Sequence, residues 1–381
     1  MERKDANGTG GRVGGAIIMA ASTHEEEEET MGANRSIAGE WTRRGFLKAV
    51  GATGAACWVG GIAKARAAQE ATAKGRIMLG SGTHSYEWVV GWGELPKDVT
   101  YGNTHGGIII DQKGTIYVNT DSERAVIMFD ADGKFLGSWG KEFQGGLHGM
   151  AITKEGDQEV LYLTHTARHE LVKATLKGEV IWAAGYPEKS GVYQNAGQYN
   201  PTGVAVAPNG ELYVGDGYGM HWVHHYSSKG EYLKSFGGPG TEPGKFNTPH
   251  GVWVDTRDAT PQLLVADRAN HRLQVFSLKG EYLAMIGDKD LRMPCGIHQH
   301  GTDLVVPDLE GRVTIFDKQN QLVTHLGDNP DPAKRKNNGV SREQWKDGDF
   351  IAPHSARFDT AGNLYVMDWN FLGRITKLRR V

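Results

Sequence analysis

THGGIIIDQKGTIYVNTDSERAVIMFDADGKFLGSWG, Thr104–Gly140, contains four short runs of β-branched and aromatic residues separated by Lys113-Gly114, Asp121-Ser122 and Asp132-Gly133. Such runs between turn-forming pairs read as four antiparallel strands joined by tight turns. Similar units begin near His148, Thr202, His250, Cys295 and His354, at spacings of 43 to 59 residues, which is the period of one four-stranded propeller blade. Two of them end in the same turn and outer strand, KGEYLKSFGG (Lys229–Gly238) and KGEYLAMIGD (Lys279–Asp288).

These units resemble NHL repeats over nearly all of residues 80–381, and the resemblance implies an all-β, six-bladed β-propeller. The last unit, ending in GRITKLRRV (Gly373–Val381), supplies only three strands. YEWVVGWGELP (Tyr86–Pro96) matches the outer-strand sequence GKFLGSWG (Gly133–Gly140), so it is predicted to complete the last blade beside Arg374–Leu378. Closing the ring in this way removes the open sheet edge that an incomplete blade leaves.

The composition agrees. Of 381 residues, 39% are hydrophobic and 23% charged, with 53 glycines and 10 tryptophans, as in a turn-rich globular β protein. A net charge of −3, with no basic stripe along the propeller, gives no field to draw nucleic acid or an anionic membrane. The N-terminus reads differently. WTRRGFLKAVGATGAACWVGGIAKARAAQ, residues 41–69, resembles a twin-arginine export signal: Arg43-Arg44 is followed by Phe46-Leu47-Lys48, a Gly/Ala-rich run and an Ala65-Arg66-Ala67 cleavage site. The run is too short and too glycine-rich to be a spanning helix. Gly54 disfavours a lipoprotein site at Cys57, and the acidic HEEEEET (His24–Thr30) points to Met31 rather than Met1 as the start. The expectation is a disordered N-terminus and signal over residues 1–68, the twin-arginine translocase as partner, and a monomeric periplasmic or secreted protein. Cleavage would leave Cys295 as the one thiol, without an internal disulfide.

Aligning the starts of the first strands gives Thr104-His105-Gly106, Leu147-His148-Gly149, Pro201-Thr202-Gly203, Pro249-His250-Gly251, Pro294-Cys295-Gly296 and Pro353-His354-Ser355. First strands border the central channel, so four histidines and a cysteine converge near the axis on one face. Neutral imidazoles meeting there suit zinc or a similar divalent ion, three of them leaving an open position. A metal-free polar plug or pH-sensitive cluster is the alternative. Second strands return to the same face and end in Asn119-Thr120-Asp121, Thr164-His165-Thr166, Gly215-Asp216-Gly217-Tyr218, Ala266-Asp267-Arg268, Pro307-Asp308-Leu309 and Met367-Asp368-Trp369. The aspartates either orient imidazoles or cap turns. A phenol at Tyr218 and a guanidinium at Arg268 offer a proton acceptor and an anion clamp beside a metal.

This constellation is similar to the peptidyl-α-hydroxyglycine α-amidating lyases, through LHGMAITKEG, NPTGVAVAPNGELYVGDGY, FNTPHGVWVD, LLVADRANHRLQVF and APHSARFDTAGNLYVMD. The resemblance implies a zinc held by His148, His250 and His354, with Tyr218 as catalytic tyrosine and Arg268 as one of two active-site arginines. It also implies a small carboxylate-bearing substrate whose carbinolamide collapses to an amide and glyoxylate. Three positions depart from that pattern: Asn119-Thr120 stands where the second arginine is expected, Ser355 where an aspartate binds structural calcium, so calcium is doubtful, and His105 is additional. A non-enzymatic propeller binding a protein or carbohydrate, and a metal-dependent hydrolase or lactonase, are the alternative readings. Cys295 reads as a soft ligand, a nucleophile or a small channel-lining residue. HWVHHY (His221–Tyr226) suits an exposed third strand better than a second metal site, and Gly327–Phe350 is either a lid or a solvated connection.

Overall fold

The structure is a computed structural model and describes residues 75–381; the predicted signal, its cleavage site and the alternative start lie outside them. The described residues form six antiparallel sheets arranged as propeller blades, nearly all β with only short 3₁₀ turns. Blade 1 is Ile108–Ile110, Ile116–Asn119, Val126–Phe129 and Phe135–Trp139, which places the four runs of the opening segment in one sheet. Blades 2 to 5 begin with Leu147–Glu155, Gly203–Val206, Pro249–Asp255 and His298–His300, and each adds its next three strands by hairpins.

Blade 6 joins the chain's ends. Its inner strands are Pro353–Phe358, Leu364–Asp368 and Arg374–Arg380, and the fourth is the N-terminal His84–Val89. The register pairs Tyr86 with Arg380, Trp88 with Leu378 and Val89 with Lys377, as the unfinished last repeat required. The strand is shorter than the stretch read for it, because Val90–Gly93 turn away. A fifth strand, Met78–Ser81, adds outside it and was not foreseen. No repeat unit contains that strand, so periodicity gave no sign of it.

Alternation along the strands sends apolar side chains between neighbouring blades, as a half-buried pleat requires. Tyr86 and Trp88 pack with Val366, Leu364, Leu378 and Phe350 between blades 5 and 6, while Ile108, Val118, Ile127, Tyr365 and Met367 fill the space between blades 6 and 1. Gly149 and Gly251 follow two of the channel histidines, where a Cβ would meet the Thr202 carbonyl oxygen at 2.6 Å and the Cys295 carbonyl oxygen at 2.5 Å. Glycine there lets the inner strands of adjacent blades approach closely enough to set the histidines around one axis.

Candidate metal and catalytic centre

His148, His250 and His354 stand at the starts of the inner strands of blades 2, 4 and 6, each at a register shift. These irregularities lie between Leu147 and Met150, Pro249 and Val252, and Pro353 and Ser355. A bulge of this kind re-aims a side chain out of the regular alternation. Here it turns three imidazoles toward the axis. All three are buried, with ring centroids 4.9 Å (His148–His250), 5.0 Å (His148–His354) and 4.6 Å (His250–His354) apart.

The blades between them orient these rings. His148 Nδ1 donates to the Thr202 carbonyl of blade 3 at 2.6 Å, His250 Nδ1 to the Cys295 carbonyl of blade 5 at 2.6 Å, and His354 Nδ1 to the Gly106 carbonyl of blade 1 at 3.1 Å. With the proton on Nδ1, each Nε2 presents a lone pair to the shared centre. Nε2 of His148 and of His354 are buried without a hydrogen-bond partner. Buried acceptors that converge without donors are costly unless a cation satisfies them, so the donor set fits a divalent metal that takes imidazole.

Tyr218 and Arg268 close the same centre. The Tyr218 hydroxyl donates to His250 Nε2 at 3.0 Å and accepts from Arg268 Nη1 at 3.2 Å, with His105 Nε2 at 3.3 Å. Tyr218 is 36% exposed as a residue, while its hydroxyl lies among these groups. Burial pushes the phenol above its usual value, and the Arg268 guanidinium works against that shift without reversing it. His105, on blade 1, lies 4.7 Å from the His148 ring, 4.8 Å from His354 and 5.3 Å from Trp369. Burial, then Arg268, lowers its pKa to about 4, so it too is neutral at pH 7.

The structure thus brings all six sequence-derived candidates together. Two overlapping donor sets are the tightest, His105, His148 and His354, and His250, Cys295 and His354, each within 4.8 Å. In the trio implied by resemblance, His250 Nε2 is engaged by the Tyr218 hydroxyl. Cys295 borders the centre, but burial raises its thiol to about 11, and its Sγ–H is directed at the Met293 carbonyl, 3.7 Å away. That thiol is no nucleophile at neutral pH.

The recurrent aspartates cap turns. Asp216, Asp267, Asp308 and Asp368 accept backbone N–H groups from Asn200, Asn247, Arg292 and Ile351, in the segments leading into the first strands of their blades. Asn119 is equally committed, accepting from Gly107 N and donating to the Leu147 and His148 carbonyls. Ser355 Oγ accepts from Ile108 N and so ties blade 6 to blade 1. Two of the three departures from the lyase pattern, Asn119 and Ser355, therefore serve as ties within and between blades.

Two secondary expectations change. His224 is fully buried rather than on an exposed strand, because Tyr193, in the connection between blades 2 and 3, folds over it; its ring bonds Tyr193 at 2.5 Å and Ser235 at 2.7 Å. His225 pairs with Glu211 at 2.9 Å, so HWVHHY is a structural network. The connection 327–350 is neither loose nor fully solvated: Val340 and Trp345 pack with Cys295 and Trp369 as a wall beside the histidines. Trp369 was not singled out from sequence, although it directly follows the turn-capping Asp368 on the histidine face.

Burial makes the fold acid-sensitive. His165 and His224 have pKa values lowered to about 4 and about 3, and His148, His250 and His354 lie well below the usual 6.5, all chiefly by desolvation. The unfolded chain takes up protons near 6.5 and the folded chain does not, so this stability is present above 6.5 and is lost as pH falls. Between pH 6.5 and 5 the loss is about 2 kcal/mol for each of His165 and His224. Urea denaturation of metal-free protein should show a midpoint falling steadily over that interval; a midpoint independent of pH from 7 to 5 would contradict neutral burial.

Comparison with known proteins places these features. The NHL repeat family model matches residues 199–226, from the approach to blade 3 through its third strand. The mouse (Mus musculus) "NHL repeat-containing protein 3" is 33% identical over 206 residues, 51% of this chain and 57% of that protein. The Caenorhabditis elegans "Probable peptidyl-alpha-hydroxyglycine alpha-amidating lyase" is 30% identical over 199 residues, 50% of this chain and 52% of that protein. The chain thus spans just over half the length of these relatives. Among solved structures, a streptogramin B lyase superimposes with a TM-score of 0.52 at 13% identity, covering 74% of this chain and 95% of that one, which speaks to the fold alone.

Proposed function

We propose that this chain is an exported, metal-dependent propeller lyase of the amidating-lyase type, acting on a small substrate that carries a carboxylate next to a carbinolamide carbon. The observation that carries this reading is the threefold arrangement of imidazoles tied through Nδ1 to the intervening blades, with Tyr218 and Arg268 on the Nε2 side. His148, His250 and His354 would hold the ion, with His105 beside them. When bound, a divalent cation there supplies Lewis-acid polarisation and favours the phenolate of a neighbouring tyrosine.

The chain's own residues account for the rest. Arg268 keeps Nε without a partner and is placed to clamp a carboxylate or developing oxyanion. Tyr218 takes the substrate's hydroxyl proton; the C–O bond becomes a carbonyl as the C–N bond breaks, and the proton is returned to the departing amide nitrogen. Atoms balance as one amide and one glyoxylate. The turn network around Asp216 supports this placement, since Asp216 accepts from Met220 N at 2.6 Å and the Tyr218 N–H bonds the Asn200 carbonyl.

A non-enzymatic propeller is the second reading, favoured by the commitment of Asn119 to inter-blade bonding where a second arginine would stand. One assay separates the two. Zinc-loaded protein should convert α-hydroxyhippurate to benzamide and glyoxylate, and zinc-loaded, folded protein without turnover would reject amidating-lyase chemistry. The Arg43-Arg44 signal would place that activity outside the cytoplasm.

A further inference from the structure

Behind the histidines, on the side away from Tyr218 and Arg268, the inner strands enclose a cavity of about 320 Å³. His148, His250 and His354 line one end of it, and the exposed Pro208 and Thr256 line the other, so it opens to solvent on the far face. Its walls are mixed: Ile152, Val204, Val252, Val254 and Ile297 give aliphatic surface, and glycine backbone and hydroxyl groups give polar surface between them. One cation intrudes. Arg357 lies on the inner strand Pro353–Phe358, three residues beyond His354, and lines the same cavity.

Among the described residues this guanidinium has no ion pair and no hydrogen bond, and its Cζ lies over the Trp253 ring, 5.5 Å from the centroid. The carboxylates nearest in sequence and on the stacking strand are engaged elsewhere. Asp359 binds Asn363 Nδ2 and its own turn amides, and Asp255 holds the Arg257 guanidinium at 2.8 Å. Burial without a counter-charge lowers the Arg357 pKa to about 10, which leaves it charged at neutral pH. A half-buried guanidinium backed by one aromatic face and without a counter-charge keeps donors free in the channel it lines, where an anion can take them.

We propose that this channel is a second ligand site, binding a small monocarboxylate with an apolar body, the carboxylate on Arg357 and the body against the aliphatic part of the walls. A single guanidinium neutralises one negative charge, so a phosphate dianion would leave one charge uncompensated in a channel that holds no second cation among its lining residues. The site is distinct from the centre above the histidines and does not depend on the lyase reading.

Cyclohexanecarboxylate is a suitable probe, titrated calorimetrically into Arg268→Met protein so that any carboxylate binding beside Tyr218 is removed first. The expected result is one carboxylate bound per chain in Arg268→Met, weakened at least tenfold in Arg268→Met/Arg357→Met, with inorganic phosphate binding far more weakly. Loss of binding in Arg268→Met alone, undiminished binding in the double variant, or phosphate binding as tightly as the carboxylate would each overturn it. If the double variant does not fold, the neutral cyclohexanecarboxamide takes its place in Arg268→Met protein, and binding within threefold of the acid would overturn the anion site. Turnover of α-hydroxyhippurate, measured separately on unsubstituted protein, reports on the lyase reading alone.

Discussion

Phenylalanine in place of Tyr218 is expected to lower turnover of α-hydroxyhippurate at least about a hundredfold, the usual worth of a positioned proton acceptor, while the metal stays bound. The substitution removes one oxygen from a residue that is already 36% exposed, so the fold should not register it. In the metal-free protein that hydroxyl is a poor base, because burial holds it above the usual phenol value despite Arg268. On the proposed reading, turnover then depends on a further positive charge beside it, for which the histidines offer the place. His250→Ala should behave differently: it removes the imidazole that Tyr218 now bonds at 3.0 Å and should lower the metal content itself. Tyr218→Phe protein with full turnover, or His250→Ala protein with unchanged metal stoichiometry, would dismantle the assignment of roles.

A chain beginning at Lys97 should fail to show a cooperative unfolding transition, whereas one beginning at Gly75 should melt as a single unit. The shorter chain lacks His84–Val89, leaving Arg374–Arg380 as an open edge and removing Tyr86 and Trp88 from the core between blades 5 and 6. Each aromatic ring buries roughly 150–250 Å², which at roughly 25 cal/mol per Å² makes the pair worth about 10 kcal/mol. That is comparable with the whole stability of an ordinary domain. Trp88 also stacks 5.1 Å from Phe350 and lies 5.3 Å from the Arg374 guanidinium, so Trp88→Ala alone should cost about 3–5 kcal/mol. Equal melting temperatures for the two truncated chains would show that the ring is closed by something other than this strand.

The blade count, the completing strand and the shared face of His105, His148, His250, His354, Tyr218 and Arg268 were all legible in the sequence. The cause is periodic: each repeat writes the same hairpins, so equal positions in different repeats must fall at equal heights around one axis. Alternation of apolar residues then fixes which side of each strand is buried. Other features depend on contacts between repeats, which no single repeat contains. The bulges that aim three imidazoles inward, the carbonyls of Thr202, Cys295 and Gly106 that fix their tautomer, and the capping role of the aspartates belong to this group. So do the covering of His224 by Tyr193 and the isolation of Arg357 in the channel. Sequence fixes which groups share a height in the ring because strand period and repeat length are local properties. Which groups find partners and which are left without one was decided only when the six blades met, since hydrogen-bond satisfaction in a closed ring is set by neighbours distant along the chain.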